Sequence, residues 1–168
     1  TFDQSLITKA WPDFSFNVKT RMKFNPKSFR NQAGLVLYYN THNWIFLYES
    51  FDEISQRKIL NLQISKQGKI IEPSNGLYIY LPNDNQITLG FEIKLAQVKA
   101  KYRTSSSNWK QFGRTIDASF LSDEGVDGWG FTGATVGLTC IDTNMKNTSA
   151  VFSYFEIGEE ENESEKMG

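Results

Sequence analysis

The sequence predicts an all-β fold, an antiparallel two-sheet β-sandwich. Short segments with alternating or continuous apolar residues recur along the chain, and turn-forming residues separate them. No segment repeats apolar residues at the i, i+3, i+4 and i+7 positions that an amphipathic helix requires. We count about ten such strands, and their succession without intervening helices favours a sandwich over an α/β fold.

The first half of the chain contains the clearest strands. Residues Phe14 to Phe24 alternate apolar and polar with period two, which predicts a strand with one buried and one wet face, and Pro26 ends it. Residues Ala33 to Tyr39 are almost continuously apolar, as in a strand buried on both faces. A polar turn at 40–43 then leads into a second aromatic strand, Trp44 to Phe51.

The second half continues the pattern. The Gln67-Gly68 pair predicts a turn, and the run Pro82 to Asn85 predicts another. Strands are expected around these turns and near the C-terminus, at 60–65, 69–71, 77–81, 87–95, 98–103, 134–141 and 150–157. These strands suit a single domain over residues 1–158. Residues 159–168 are rich in glutamate and lack apolar anchors, so we expect an acidic disordered tail.

Composition excludes several classes of partner. The formal net charge is only −1, so no strong field favours nucleic acid or an anionic membrane. No apolar run is long enough to cross a bilayer, and no membrane partner is expected. The first residues do not resemble a signal peptide, but a chain that starts inside a longer one would lack it too, so this absence says little about secretion. Localisation is left unknown, with a bacterial cytoplasmic protein favoured over a secreted one.

The segment from Gly125 to Gly137 is the most informative part of the chain. It reads GVDGWGFTGATVG and places five glycines around Trp129 and Phe131. Such a segment has two interpretations. It is a corner of the sandwich whose aromatics cap the core, or it presents rigid aromatics to a sugar ring or to another domain's pocket.

Four segments, taken in order, resemble one family. They are Gln32 to Asn40 with Asn43-Trp44, Tyr102 to Ser105 with Asn108-Trp109, Gly130 to Leu138, and Phe152 to Glu156. Together they resemble the C-terminal concanavalin A-like β-sandwich of glycoside hydrolase family 43, the β-xylosidases and arabinofuranosidases. The resemblance extends from about Ser5 to Glu156, and it implies a jelly-roll form of the predicted sandwich.

The resemblance also implies a role. In that family the catalytic groups belong to a separate five-bladed propeller of the same polypeptide, and the sandwich extends one loop over the active site. By this likeness the chain is a non-catalytic accessory domain, and its Gly128 to Gly133 loop completes a pocket for a xylo- or arabino-oligosaccharide. Phe131 is the first candidate to wall that pocket and Trp129 the second, with Gly130 and Thr132 beside them.

Two stretches depart from the family pattern. Thr8 to Trp11 replaces a basic motif, and Val151 and Ser153 stand where the family has aspartates. The second departure makes the chain a poor candidate for a calcium ion at that strand. No cofactor is therefore expected, although a structural calcium held mainly by backbone carbonyls stays open.

Catalytic chemistry of the chain's own is not expected. Glycoside hydrolysis needs two facing carboxyl groups, and the nearest candidates, Asp123, Glu124 and Asp127, have the pattern of a solvated acidic loop. The single histidine, His42, excludes histidine-rich zinc chemistry. Whether the chain is part of an enzyme is left open by these residues alone, and no metal site is predicted.

Two other functions compete with the accessory role. A lectin-like module would bind sugar through aromatics on a concave sheet face, with Trp44, Tyr39 and Trp109 as candidates. The competing interpretation of these aromatics is that they belong to the core. A structural interaction domain without sugar contact is the third possibility.

Overall fold

The computed structural model describes residues 3–10, 15–71, 78–82, 86–104, 108–121, 134–142 and 150–159. Within these ranges the chain forms twelve strands and one short 3₁₀ turn, Ser119–Leu121. In chain order the strands are β1 (Asp3–Ala10), β2 (Ser15–Phe24), β3 (Asn31–Asn40), β4 (Asn43–Asp52), β5 (Arg57–Lys66), β6 (Lys69–Ile71), β7 (Ile79–Tyr80), β8 (Gln86–Lys94), β9 (Gln97–Thr104), β10 (Lys110–Asp117), β11 (Thr135–Asp142) and β12 (Ala150–Glu159).

The strands form two antiparallel sheets. The seven-stranded sheet has the order β1-β11-β3-β4-β5-β6, and β7 also pairs with β5. The five-stranded sheet has the order β10-β9-β8-β2-β12. Strands distant in sequence are therefore neighbours in both sheets, as in β-sandwiches with crossing connections. The predicted fold class, an antiparallel two-sheet sandwich, is confirmed.

The core lies between the two sheets. The seven-stranded sheet contributes Leu35 and Leu47, and the five-stranded sheet contributes Met22, Leu89 and Phe91, all with no exposed surface. The alternation predicted for β2 is confirmed, because every second residue of that strand is buried. Burying side chains of this size stabilises the fold by about 1.5–3 kcal/mol each.

The outer faces of the two sheets differ in chemistry. On the seven-stranded sheet, Val36, Phe46 and Tyr48 form a second apolar cluster on the face opposite the core. The Phe46 and Tyr48 rings stack with their centroids 4.6 Å apart. On the five-stranded sheet, the outward positions of β2 and β9 carry mainly charged and polar side chains.

Two strands escape the periodicity analysis. In β10 the pairing with β9 shifts between Phe112 and Ile116, and Gly113 in this bulge has a φ of 73°. Three residues separate these two buried positions, and the middle one, Arg114, is exposed where alternation would bury it, so period two is lost. Strand β1 has only a short apolar core in its sequence. At the C-terminus, β12 extends to Glu159, the first residue assigned to the tail, and residues 160–168 lie outside the described ranges.

Among the described residues, no helix has the length and apolar character needed to cross a membrane.

Candidate functional site

The predicted pocket loop, Gly128 to Gly133, lies outside the described residues, and so do its candidates Phe131, Trp129, Thr132 and Gly130. The structure instead defines the two points between which this segment runs. On one side the 3₁₀ turn Ser119–Leu121 ends in a fully buried leucine. On the other side Ala134 is 1% exposed and leads directly into β11. Both ends of the segment are therefore fixed in the core.

Both attachment points lie at one end of the sandwich, which we call the loop end. The backbone N–H of Ala118 donates to the carbonyl of Ala96, in the β8–β9 turn, at 2.7 Å. The Lys66 Nζ lies 6.0 Å from the ring centroid of Phe120 in the 3₁₀ turn. Thr135 pairs with Tyr38 near the end of β3. The β3–β4, β5–β6 and β8–β9 turns thus surround the attachment points.

The β3–β4 and β5–β6 turns are joined by hydrogen bonds. The His42 carbonyl accepts from the Ser65 hydroxyl at 2.8 Å and from the Gly68 N–H at 3.0 Å. The Gln67 N–H donates to Asn43 Oδ1 at 2.9 Å. Gln67 and Gly68 have φ values of 52° and 82°, as in a two-residue type I′ hairpin turn, which confirms the predicted turn. These bonds hold the β3–β4 and β5–β6 turns together at the loop end, where the intervening segment is attached.

Two of the three aromatics proposed for sugar binding lie near the loop end, but on opposite sides of their sheet. Tyr39, near the end of β3, packs against the main core. Trp44, near the start of β4, packs against the outer cluster of Val36 and Phe46. Both are half-buried. The structure therefore brings them to one region without aligning them on one surface.

The third aromatic, Trp109, lies at the other end of the sandwich. It precedes β10, whereas the 3₁₀ turn follows that strand, and eight strand residues span about 25 Å. Trp109 lines a depression of about 890 Å³ on the outer face of the five-stranded sheet, which we call the sheet groove. The three aromatics do not form one platform, and their binding to sugar stays a prediction.

The sheet groove is basic. Five cationic side chains line it, with two carboxylates, although the whole chain has a formal net charge of −1. The cations are Lys19, Lys99, Lys101, Arg103 and Lys110, and the carboxylates are Glu92 and Glu156. The groove therefore carries a formal excess of three positive charges.

Trp109 holds two of these cations. The Lys101 Nζ lies 4.8 Å and the Arg103 Cζ 5.2 Å from its ring centroid, within cation–π range. Lys101 also reaches Glu92 at 4.0 Å, and its side chain is only 16% exposed. Because these contacts restrict both side chains, their charges are positioned before any ligand arrives.

Cross-strand register explains the shape of the groove. One row across the sheet runs Glu156, Lys19, Gly90, Lys101 and Gln111, each paired with the next. A Cβ at Gly90 would lie 3.2 Å from Lys101 Cε and 3.3 Å from its Cγ. The missing side chain therefore lets the stem of Lys101 lie flat across β8, and the groove deepens there.

Lys99, Lys101 and Arg103 lie at alternate positions of the strand predicted at 98–103, and nothing in the sequence indicated that they form a site. Their clustering with Trp109 depends on the pairing of β9 with β10, which the sequence did not predict. The available signal was three cations at alternate positions of one strand, followed closely by a tryptophan.

The described residues contain no group of three or more histidine, cysteine, aspartate or glutamate side chains that could hold a metal ion. The three acidic candidates near the glycine-rich segment, Asp123, Glu124 and Asp127, lie outside the described ranges. His42 is exposed in the β3–β4 turn, as expected.

Comparison with known proteins identifies relatives over nearly the whole chain. The family model described as the β-xylosidase C-terminal concanavalin A-like domain matches residues 1–158. A β-xylosidase of Bacillus subtilis (strain 168) is 32% identical over 160 residues, which are 95% of this chain and 30% of that protein. Xylosidase/arabinosidase 43B of Humicola insolens is 31% identical over 161 residues, 92% of this chain and 30% of that protein.

The fold comparison agrees with the sequence comparison. The crystal structure of xylan β-1,4-xylosidase from Bacillus halodurans C-125 matches with a TM-score of 0.84 and 28% identity. The match covers 94% of this chain and 30% of that one. The chain thus spans about 30% of the length of these relatives.

Proposed function

The chain belongs to the family of β-xylosidase C-terminal concanavalin A-like domains, and from this we propose that it is the non-catalytic accessory domain of a family 43 glycoside hydrolase. In this proposal it packs on a catalytic propeller of the same polypeptide. Its Gly128 to Gly133 loop then completes the substrate pocket of that propeller. The match of the family model over residues 1–158 is the observation that carries the proposal.

The lengths of the relatives support a division of labour. About 70% of each enzyme lies outside the part that this chain matches, which leaves ample chain for a catalytic domain. The relatives are named as a β-xylosidase and a xylosidase/arabinosidase, so a xylo- or arabino-oligosaccharide is the proposed substrate class.

The geometry of the loop end supports the role of the loop. A segment that presents an aromatic to another domain must be anchored at both ends. Here both attachment points are buried, and at the first of them the Leu121 N–H donates to the Ala118 carbonyl. An aromatic ring in a pocket wall positions the sugar and excludes water, but transfers no proton. Phe131 in this role would therefore contribute to catalysis through binding geometry.

Replacement of Phe131 by alanine in the full-length enzyme tests the proposal. Loss of one ring contact to the sugar costs about 1 kcal/mol or more, so kcat/KM for xylobiose should fall about fivefold or more. Trp129→Ala should give a smaller loss. Phe29→Ala is a matched control, because Phe29 is 57% exposed and its N–H donates to Glu53 in the β4–β5 turn, which is distant from the loop end.

An unchanged kcat/KM for Phe131→Ala would remove this residue from the pocket. A loss equal to that of Phe29→Ala would point to a general effect on stability and would also contradict the proposal. Equal thermal unfolding midpoints of the two variants make the comparison valid.

A further inference from the structure

We propose that the sheet groove is a second binding site, selective for a carboxylate-bearing saccharide such as a xylo-oligosaccharide with a uronic acid side group. The site is separate from the loop end and needs no residue of the glycine-rich segment. The choice of a sugar as carrier of the carboxylate rests on the proposed function. The preference for an anion rests on the groove alone.

The first argument is the arrangement of positive charge. Lys99, Lys101 and Arg103 project from one face of β9 at alternate positions, which places the Cα atoms of neighbouring cationic residues about 6.6 Å apart. Among the described residues, no carboxylate forms an ion pair with Lys99 or Arg103. Two cations on one wall of the groove are therefore not neutralised by any carboxylate in the described part of the chain.

The second argument is preorganisation. Trp109 contacts Arg103 and Lys101, and the stem of Lys101 lies across Gly90. Fixing these long side chains beforehand reduces the entropy that a ligand must otherwise offset. A guanidinium in a fixed position donates two parallel hydrogen bonds to a carboxylate, which an ammonium cannot do.

The third argument is the chemistry of the remaining walls. Asn17, Asn108 and Gln111 offer amides suited to sugar hydroxyls, and Trp109 offers an apolar surface. A volume of about 890 Å³ is of the size that small-molecule sites have. Amides, an aromatic and cations together fit an acidic sugar better than a bare inorganic anion.

The carboxylates of the groove favour selectivity over general anion binding. Glu156 pairs with Lys19 at 3.4 Å on the far side, where both side chains are about half exposed. Glu92 lies near Lys101. Because these acids repel a second negative charge, the groove accepts an anion beside Arg103 and neutral groups beyond it.

The test titrates the 168-residue chain at low ionic strength with a xylo-oligosaccharide that carries one glucuronic acid. The matched ligand is the neutral xylo-oligosaccharide of the same length. We expect the acidic sugar to bind at least about tenfold more tightly. Arg103→Gln should weaken its binding about tenfold or more, since a charge-assisted contact is lost. Lys69→Gln, on β6 of the other sheet, is the matched control and should leave the affinity unchanged.

Equal affinity for the acidic and neutral sugars would overturn the proposal, as would equal effects of Arg103→Gln and Lys69→Gln. Inorganic phosphate that displaces the acidic sugar at equal concentration would reveal a general anion site and overturn the selectivity. Poly-glutamate that binds more tightly than the sugar would assign the groove to an acidic peptide instead. Matching thermal midpoints exclude misfolding. Neither a catalytic domain nor Phe131 enters this assay, so its failure leaves the proposed loop function untouched.

Discussion

Gly34 allows the sharpest prediction about the fold, because the backbone of β4 occupies the space where its side chain would lie. A Cβ at Gly34 would sit 1.9 Å from the Leu47 carbonyl oxygen and 2.7 Å from the Tyr48 Cα. An acceptable carbon–oxygen contact is about 3.3 Å, so β3 and β4 would have to separate by about 1.4 Å. Such a shift breaks one or two ladder hydrogen bonds and disturbs the core packing. We expect Gly34→Ala to lower the free energy of unfolding by about 3–5 kcal/mol.

Two other glycines distinguish the effect of steric crowding on stability from the effect of a left-handed backbone. A Cβ at Gly113 meets nothing within 4 Å, but its φ of 73° is left-handed, so Gly113→Ala should cost about 1–2 kcal/mol. A Cβ at Gly158 also meets nothing within 4 Å and its φ is not left-handed, so Gly158→Ala should be neutral or stabilise by up to about 1 kcal/mol.

Urea unfolding of the three variants measures this order directly. If Gly34→Ala destabilised no more than Gly113→Ala, the close approach of β3 and β4 would be refuted. A large loss from Gly158→Ala would show that glycine is needed in this sheet for a reason other than space or φ.

The remaining predictions concern buried polar groups. Thr20 has no exposed surface, and its hydroxyl donates to the Tyr154 carbonyl at the bulge of β12. Thr20→Val should therefore lower the free energy of unfolding by about 1–3 kcal/mol, whereas Thr20→Ser should retain the bond. Equal unfolding free energies for the valine and serine variants would contradict this. Burial raises the pKa of Tyr102, so the folded state keeps the phenol proton after the unfolded state has lost it. Its contribution to stability is therefore complete below the ordinary tyrosine pKa of about 10 and is lost as pH rises through the raised value. The advantage of the parent over Tyr102→Phe in chemical unfolding should shrink above about pH 10. A stability advantage of the parent over Tyr102→Phe that grows with pH would contradict the raised pKa of Tyr102.

Period-two alternation predicted the strands wherever one face is buried and the ladder is regular. Strand β2 is the clearest case, because its nine consecutive pairings with β8 keep a constant register. Strand β10 could not be found this way, since at the register shift the residue midway between the buried Phe112 and Ile116, Arg114, is exposed instead of buried. A bulge depends on which strand pairs with β10, and that pairing is set by the tertiary structure and not by the local sequence.

The candidate sites were predictable only in part, for a similar reason. Trp109 was a candidate for sugar binding, but its neighbours Lys101 and Arg103 belong to another strand and meet it through β-sheet register. Tyr39 and Trp44 are close in sequence and suggested a common surface. Trp44 pairs with Tyr38, and the side chains of the adjacent residues Tyr38 and Tyr39 face opposite sides of the sheet. The pairing of β3 with β4 is also irregular between Tyr38 and Asn40.

The crystal structure of the full-length enzyme with xylobiose bound would test the central claim most directly. The proposal places the Phe131 ring within about 4.5 Å of the bound sugar, the range of apolar contact. It also places Gly128 to Gly133 at the mouth of a pocket formed by the catalytic domain. A pocket closed entirely by other segments, with Phe131 remote from the sugar, would contradict it.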